Sequence, residues 1–366
     1  MTISVIGTGA IGGYYGAKLA RGGQDVHFLL HRDYEYVREH GLYVKSCDGD
    51  FRLDKVNAYN TTEKMPKSDV VIVGLKTTNQ SMLKTLLPPL LKDDTVVVLI
   101  QNGLGLEKDF ALRFPGVSVM AGLAFICSSK TEPGIVNHQC FGSIRLGNYN
   151  CVDRQRIEDF ADALQQSGVK TTMAEFHEAR WKKAVWNIPF NGMSVVHNTT
   201  TDQLIANPDT ARLILAQMRE VIDVAQACGV RGLDYSFADE MMEVTKTMVP
   251  YSPSMKLDYQ FHRPMEIHYL YVRPLNAALT RNCSTPEIRK LAARLMEIDR
   301  INTHWGNGEA EDAKWPVPPF ATSKIYAGAT SQTTNEYGLV DPSKQGSQIQ
   351  ATHLHSTDNP KKTETT

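Results

Sequence analysis

Hydrophobic residues are distributed along this chain in two rhythms. In the first half they form short unbroken runs: Ile3-Ser4-Val5-Ile6, then residues 25–30, 69–75 and 95–100. Continuous apolar runs of that kind fit strands covered on both faces. Between the first two lies a segment of helical character, residues 10–21. Strands alternating with helices predict an α/β domain with a doubly wound, mostly parallel sheet. Residues 42–59 read as a β excursion that turns at Cys47-Asp48-Gly49-Asp50. Residues 134–147 read as short terminal strands, and residues 153–166 as a helix closed by Gly168. From about Phe176 the apolar spacing becomes helical. Helices are predicted from Glu178 through Trp186 and beyond, and over residues 209–228, 235–247, 263–279 and 286–302. The pattern divides the chain into an α/β part (1–174), an all-α C-terminal part (175–305) and a polar stretch (306–366). That last stretch is rich in Thr, Ser, Gly, Asn and Pro, and is expected to be a disordered tail. No internal repeat interrupts this order.

With 366 residues and 42% hydrophobic content, the chain has room for about two domains with substantial cores. Its 39 basic and 40 acidic residues leave a formal charge of −1, which argues against nucleic acid or another polyanion as partner. Six cysteines (Cys47, Cys127, Cys140, Cys151, Cys228 and Cys283) are scattered without a CxxC pair. Reduced, buried thiols are therefore expected, rather than a disulfide frame or a metal site. There is no basic-then-apolar leader and no apolar run of the roughly 18 residues that a membrane span needs. A cytoplasmic protein is the expectation.

The chemistry begins directly after the first strand, in Ile6-Gly7-Thr8-Gly9-Ala10-Ile11-Gly12. Three glycines at this spacing have separate tasks. Gly7 lets the strand turn sharply into a helix, Gly9 lets a pyrophosphate approach the backbone, and Gly12 lets helix and strand pack closely. The free N–H groups of the helix's first turn then face the phosphates. The strand before and the helix after make this a dinucleotide-binding motif rather than a ligand-free turn. At the end of the second strand stand His31-Arg32-Asp33. An acid at that place accepts the ribose hydroxyls of NAD, and a cation accepts the 2′-phosphate of NADP. Arg32 can fork onto a phosphate, which favours NADPH. The alternatives are Arg32 as a solvated charge paired with Asp33, and NADH if Asp33 points inward.

Two further strand ends carry polar groups where a doubly wound sheet places its ligands. Lys76 follows one, able to meet a phosphate or the nicotinamide ribose. Gln101-Asn102-Gly103-Leu104-Gly105 follows the other, with Asn102 placed to hold the nicotinamide end or the substrate. The plain alternatives are a solvated lysine and a turn-forming asparagine. In the second half, Lys183, Asn187 and Asn191 fall at i, i+4 and i+8, which puts a cation and two amides on one helix face. An ammonium there can polarise a carbonyl oxygen as hydride arrives and then protonate it. Lys182 competes for that role one position round the helix, and Pro189 threatens to kink the face. On spacing alone a solvated helix face is the better reading.

Taken in order, these residues resemble the ketopantoate reductases (2-dehydropantoate 2-reductases). The likeness is carried by the Gly7 motif with Arg32, Lys76, Gln101-Asn102-Gly103-Leu104-Gly105, the Lys183/Asn187/Asn191 helix, and two later runs. These are Ser254-Met255-Lys256-Leu257-Asp258 and Pro264-Met265-Glu266-Ile267, and the whole set spans roughly residues 1–300. The resemblance implies a Rossmann domain plus a helical domain, with the active site in the cleft between them. It implies NADPH-dependent reduction of a 2-keto acid, 2-dehydropantoate to pantoate in pantothenate biosynthesis, and a homodimer through the helical domain. Gly7, Thr8, Gly9, Ala10, Ile11, Gly12, Arg32 and Lys76 would bind NADPH, and Asn102 would contact cofactor and substrate. Lys183 would be the general acid. Asn187, Asn191 and Ser254 would hold the 2-keto acid. Glu266 would contact the cofactor and orient Lys183, although without the resemblance it reads as an exposed helix acid and Ser254 as a loop cap.

The chain departs from the family after Glu266. Ile267-His268-Tyr269-Leu270-Tyr271-Val272 replaces Ile-Asp and a small pair ending in Gly, and Phe261-His262-Arg263-Pro264 replaces a Gly-Arg-Thr-like approach. Tyr271 and Val272 are expected to alter how that helix packs. These departures leave open another branched 2-keto acid, another hydroxyacid dehydrogenase of the same architecture, or an NADP(H)-binding sensor without turnover.

Overall fold

The computed structural model describes residues 1–307, so the polar stretch from residue 306 onward lies almost wholly outside the described residues. Ten strands form one sheet: β1 (Thr2–Ile6), β2 (Asp25–Leu29), β3 (Leu42–Ser46), β4 (Phe51–Leu53), β5 (Asn57–Tyr59), β6 (Val70–Val73), β7 (Val96–Leu99), β8 (Ser118–Glu132), β9 (Ile135–Asn148) and β10 (Thr171–Ala174). Their order is β4-β3-β9-β8-β7-β6-β1-β2-β5, with β10 also on β9. The six strands from β5 to β8 run parallel. The chain passes from β1 to β2, crosses to the far edge for β3 and β4, comes back to β5 beside β2, and then goes to β6 on the other side of β1. The switch point therefore lies between β1 and β6, where such sheets bind ligands beyond the strands' carboxyl ends.

Side chains alternate across the sheet and fill two apolar layers. Ile3, Val5, Phe28, Val70, Ile72, Val96 and Val98 pack on one face. Ile6, Val71, Val73, Val97 and Leu99 pack on the other. Every residue of β6 and β7 is buried, which is why both read as continuous apolar runs. The second half is helical, with a separate core that includes Val185, Ile188, Phe190, Met218, Val221, Ile222, Leu270, Tyr271 and Leu295. Its central helix, Phe176–Val196, runs unbroken through Pro189. Among the described residues no helix is long and apolar enough to cross a membrane.

Three expectations are corrected. Residues 134–147 are not short terminal strands, and the segment before them, to which the apolar pattern assigns no element, is itself a strand. β8 and β9 form one long antiparallel hairpin of 15 and 14 residues. Residues 263–279 do not form one helix. Pro264 cannot continue a helical ladder, and the chain enters a wide π-helical turn at His268–Val272 before a regular helix at Arg273–Thr280. Finally, the cysteines are free thiols as expected, but only Cys127 and Cys151 are fully buried and Cys47 is exposed. Cys47 Sγ lies 3.8 Å from His138 Nδ1, close to Asp48. His138 already has a hydroxyl partner in Ser46 (2.8 Å) and a carbonyl partner in Phe141 (3.1 Å), as a satisfied core histidine does.

Candidate active site

The nucleotide motif forms as its glycines dictate. Gly7 has φ +89°, and a Cβ there would lie 2.5 Å from the Leu75 nitrogen. A Cβ on Gly12 would lie 2.3 Å from the Gly7 carbonyl oxygen. These two glycines thus lock β1, the first helix (Ala10–Arg21) and the end of β6 together. Gly9 differs: a Cβ there would meet nothing within 4 Å. Its bare face opens on a cleft of about 610 Å³ that is also lined by Ala10, Ile11, Lys76, Asn102, Lys183, Asn187, Asn191, Ser254 and Glu266. A pyrophosphate fits this cradle, because the space a side chain would take is free and helical N–H groups border it. The Thr8 hydroxyl is turned away, donating to the Leu29 carbonyl at 2.8 Å. Thr8 therefore pins the loop to β2 and offers a ligand only its backbone.

At the end of β2, Arg32 is exposed and makes no ion pair among the described residues. Asp33 does not pair with it; its carboxylate lies 2.5 Å from Lys130 Nζ.

The other end of the cleft is built where the central helix meets the sheet. Lys183 Nζ donates to the Ala124 carbonyl on β8 at 2.8 Å. Burial and the nearby Arg180 guanidinium draw its pKa down to about 7, against the opposing pull of Glu266. Such an ammonium gives up its proton readily near neutrality. Lys182 also borders the cleft, but its ammonium is tied to Glu178 one turn back at 2.5 Å. Arg180 pairs with Glu107, both fully buried, and donates to the Gln101 carbonyl at 2.5 Å. It fixes the loop that carries Asn102 to the helix that carries Lys183.

Glu266 is only 4% exposed and so is not a surface acid. It accepts the Thr77 N–H at 2.8 Å and a hydrogen bond from Lys76 at 3.3 Å. Lys76 also donates to Asp258 at 2.8 Å. Burial depresses the Lys76 ammonium, but the charges of Glu266 and Asp258 outweigh it and hold it above its ordinary value. The three groups clamp the end of β6 to the helical part, with Arg263 on the other oxygen of Asp258 at 3.0 Å. No hydrogen bond joins Glu266 to Lys183 directly, so its influence there is electrostatic.

Asn187 and Asn191 do share the Lys183 face. Asn191 has its amide engaged: Nδ2 donates to the Asn187 carbonyl at 2.9 Å, and Oδ1 accepts the Met255 N–H at 3.2 Å. It thereby anchors the short helix Ser254–Gln260, whose first residue faces the cleft. Tyr271 shows what its departure does. Fully buried, it donates to the Ile188 carbonyl at 2.8 Å and takes the room beside Gly192, where a Cβ would come within 2.7 Å of its hydroxyl.

Sequence reasoning missed Ala124, Arg180, Asp258 and Lys130 as parts of the site. Asp258 had a signal, since it lies in a run already singled out. Ala124 acts through its backbone and had none.

A doubly wound sheet with an open glycine cradle at its switch point, facing a buried lysine of an attached helical domain, defines an oxidoreductase that uses a nicotinamide dinucleotide. The narrower assignment comes from known proteins. Residues 3–150 match the family model described as ketopantoate reductase PanE/ApbA, and residues 175–302 match its C-terminal counterpart. A 2-dehydropantoate 2-reductase from a Nostoc species is 44% identical over 305 residues, covering 82% of this chain and 95% of the relative. The crystal structure of 2-dehydropantoate 2-reductase from Geobacter metallireducens superposes with a TM-score of 0.78 at 38% identity, covering 81% of this chain and 99% of the other. That from Methylococcus capsulatus gives 0.74 at 30% identity, with 86% and 99% covered. The chain belongs to the ketopantoate reductase family.

Proposed function

We propose that this protein reduces 2-dehydropantoate to pantoate with NADPH, in the cleft between a dinucleotide domain (1–174) and a helical domain (175–305). The observation that carries the reading is Lys183: a cleft lysine, steered by the Ala124 carbonyl and drawn down to about 7. When bound, the dinucleotide supplies the hydride. The chain's own groups do the rest. Gly9, Ala10 and Ile11 border the pyrophosphate, and Arg32 takes the 2′-phosphate. Asn102 contacts both the nicotinamide end and the substrate. Asn187 and Ser254 hold the 2-keto acid, with Asn191 setting the position of Ser254. The Lys183 ammonium polarises the keto oxygen and passes its proton to the alkoxide that forms. The substrate carboxylate and the cofactor phosphates raise the fraction of Lys183 that carries the proton in the loaded site. Glu266 adds to that effect and is oriented by its hydrogen bonds from Lys76 and Thr77.

The decisive assay is NADPH oxidation by the purified protein over a panel of 2-keto acids. Turnover of 2-dehydropantoate well above the others supports the reading, and cofactor binding without turnover of any of them overturns it. A bulkier branched 2-keto acid is the second reading, because the cleft continues into an apolar annex of Trp186, Phe237, Met241 and Val244. A cytoplasmic homodimer remains part of the proposal, tested by the mass of the purified protein in solution.

A further inference from the structure

Lys130 lies near the C-terminal end of β8, six residues beyond Ala124 in the middle of the strand. The register of β8 against β9 breaks between Ser129 and Glu132, so residue 130 falls in a bulge without a partner across the ladder. A bulge re-aims its side chain. Here the ammonium turns onto the nucleotide motif, 2.5 Å from the Asp33 carboxylate and donating to the Thr8 carbonyl at 2.7 Å. The two side chains of the pair are only 11% and 15% exposed, and Lys130 lines the cleft. One strand thus holds the Lys183 acceptor at its middle and, about 20 Å further along extended backbone, a cation beside the nucleotide motif.

Asp33 directly follows the His31-Arg32 pair at the end of β2. A bare carboxylate there would accept the hydroxyls of an unphosphorylated ribose and repel a 2′-phosphate. Its charge is instead matched by Lys130, while Arg32 is left exposed. We propose that Lys130 is a cofactor-specificity residue: by pairing with Asp33 it removes the charge that would select the unphosphorylated dinucleotide, and beside Arg32 it makes the adenosine end accept a 2′-phosphate. The inference rests on the reading of Arg32 as the phosphate-binding group.

The adenosine end can be tested alone, by calorimetry with adenosine 2′,5′-bisphosphate and adenosine 5′-monophosphate. The wild-type protein binds the bisphosphate more tightly. Lys130→Met weakens the bisphosphate about tenfold, the effect of one uncompensated charge at close range, and changes the monophosphate little. Adding Asp33→Asn to Lys130→Met restores the preference. Asp33→Asn alone, which keeps the lysine and releases it toward the phosphate, tightens the bisphosphate several-fold. Equal weakening of both probes without rescue by Asp33→Asn means that Lys130 only holds the loop through Thr8, and overturns the proposal. So does an unchanged preference in Lys130→Met, or a wild-type preference for the monophosphate. Arg32→Ala separates the two ideas: an unchanged preference in that variant refutes the Arg32 reading alone, while the Lys130→Met result still decides the role of Lys130.

Discussion

Replacing Lys183 by methionine keeps an unbranched apolar stem of similar reach and removes only the ammonium. Two consequences follow, with opposite signs. Loss of a general acid lowers turnover by about two to four orders of magnitude, which is about 3–5 kcal/mol of transition-state stabilisation. The fold, however, gains. Burial and Arg180 draw the Lys183 pKa from 10.5 down to about 7. Between those values the unfolded chain binds a proton that the folded one does not, so wild-type stability falls as pH drops through that window and levels off below about 7. The full gap corresponds to a ceiling of about 5 kcal/mol. Residual hydration and the hydrogen bond to Ala124 reduce it to about 1–2 kcal/mol.

Thermal melts of the unliganded protein at several pH values read this directly. Lys183→Met melts about 2–4 °C above wild type at pH 6.5, and the difference shrinks toward zero by pH 10. A variant less stable than wild type at pH 6.5, or a difference that does not vary with pH, refutes the claim that this ammonium is held against its preference. Turnover of the variant within tenfold of wild type refutes the acid role and shifts attention to Lys182. The two readouts are independent. A merely structural lysine would lose stability and activity together, whereas a catalytic one held in a desolvated cleft trades one for the other.

Other substitutions probe the supports of the same site. Glu266→Gln removes the charge that holds the Lys183 proton on, so the high-pH decline of keto-acid kcat/KM moves to lower pH and kcat falls about tenfold; an unmoved profile argues against electrostatic coupling between the two groups. Gly12→Ala drives a Cβ to 2.3 Å from the Gly7 carbonyl oxygen and 3.0 Å from Val5 Cγ1. It should lower stability by about 1–3 kcal/mol or more and weaken dinucleotide binding, as melts and cofactor titration will read. Tyr271→Phe removes a buried hydrogen bond to the Ile188 carbonyl and should cost about 0.5–1.5 kcal/mol in a denaturant titration, with the substrate preference unchanged. A changed preference would mean that the departure after Glu266 shapes specificity and not packing alone.

How much of this was legible in the sequence depends on what each signal reports. β1, β2, β6 and β7 were plain because both faces of each are covered, which leaves an apolar run with nothing to interrupt it. β8 was not, although Val119–Cys127 is largely apolar or small. Breaks in its pairing with β9 fall between Phe125 and Ile126, between Cys127 and Ser128, and between Ser129 and Glu132. Each break shifts the inward–outward alternation, so no period of two survives along it. The π-helical turn at His268–Val272 was likewise hidden, since its apolar content matches a regular helix and only Pro264 and Pro274 mark the irregularity.

The site divides on the same line. Gly7, Gly9 and Gly12 announce themselves by spacing along one element, where local geometry fixes what is near what; Lys183 shares a helix face with two amides by spacing, but its role came only with the family resemblance. Most groups that tune the site sit on other elements: Ala124 for the Lys183 hydrogen bond, Glu107 for the Arg180 that acts on Lys183, Asp258 for Lys76, and Lys130 for Asp33. Three of those interactions depend on the sheet order that places β8 beside β7 or on the helical part folding back over β6. No periodicity in the chain encodes such pairings. Arg32 illustrates the limit: its sequence context offered Asp33 as partner, and the answer came from a residue 97 positions later that reaches Asp33 only because a bulge turns it there. The electrostatic character of the nucleotide end is therefore a property of the hairpin's irregularity as much as of the motif itself.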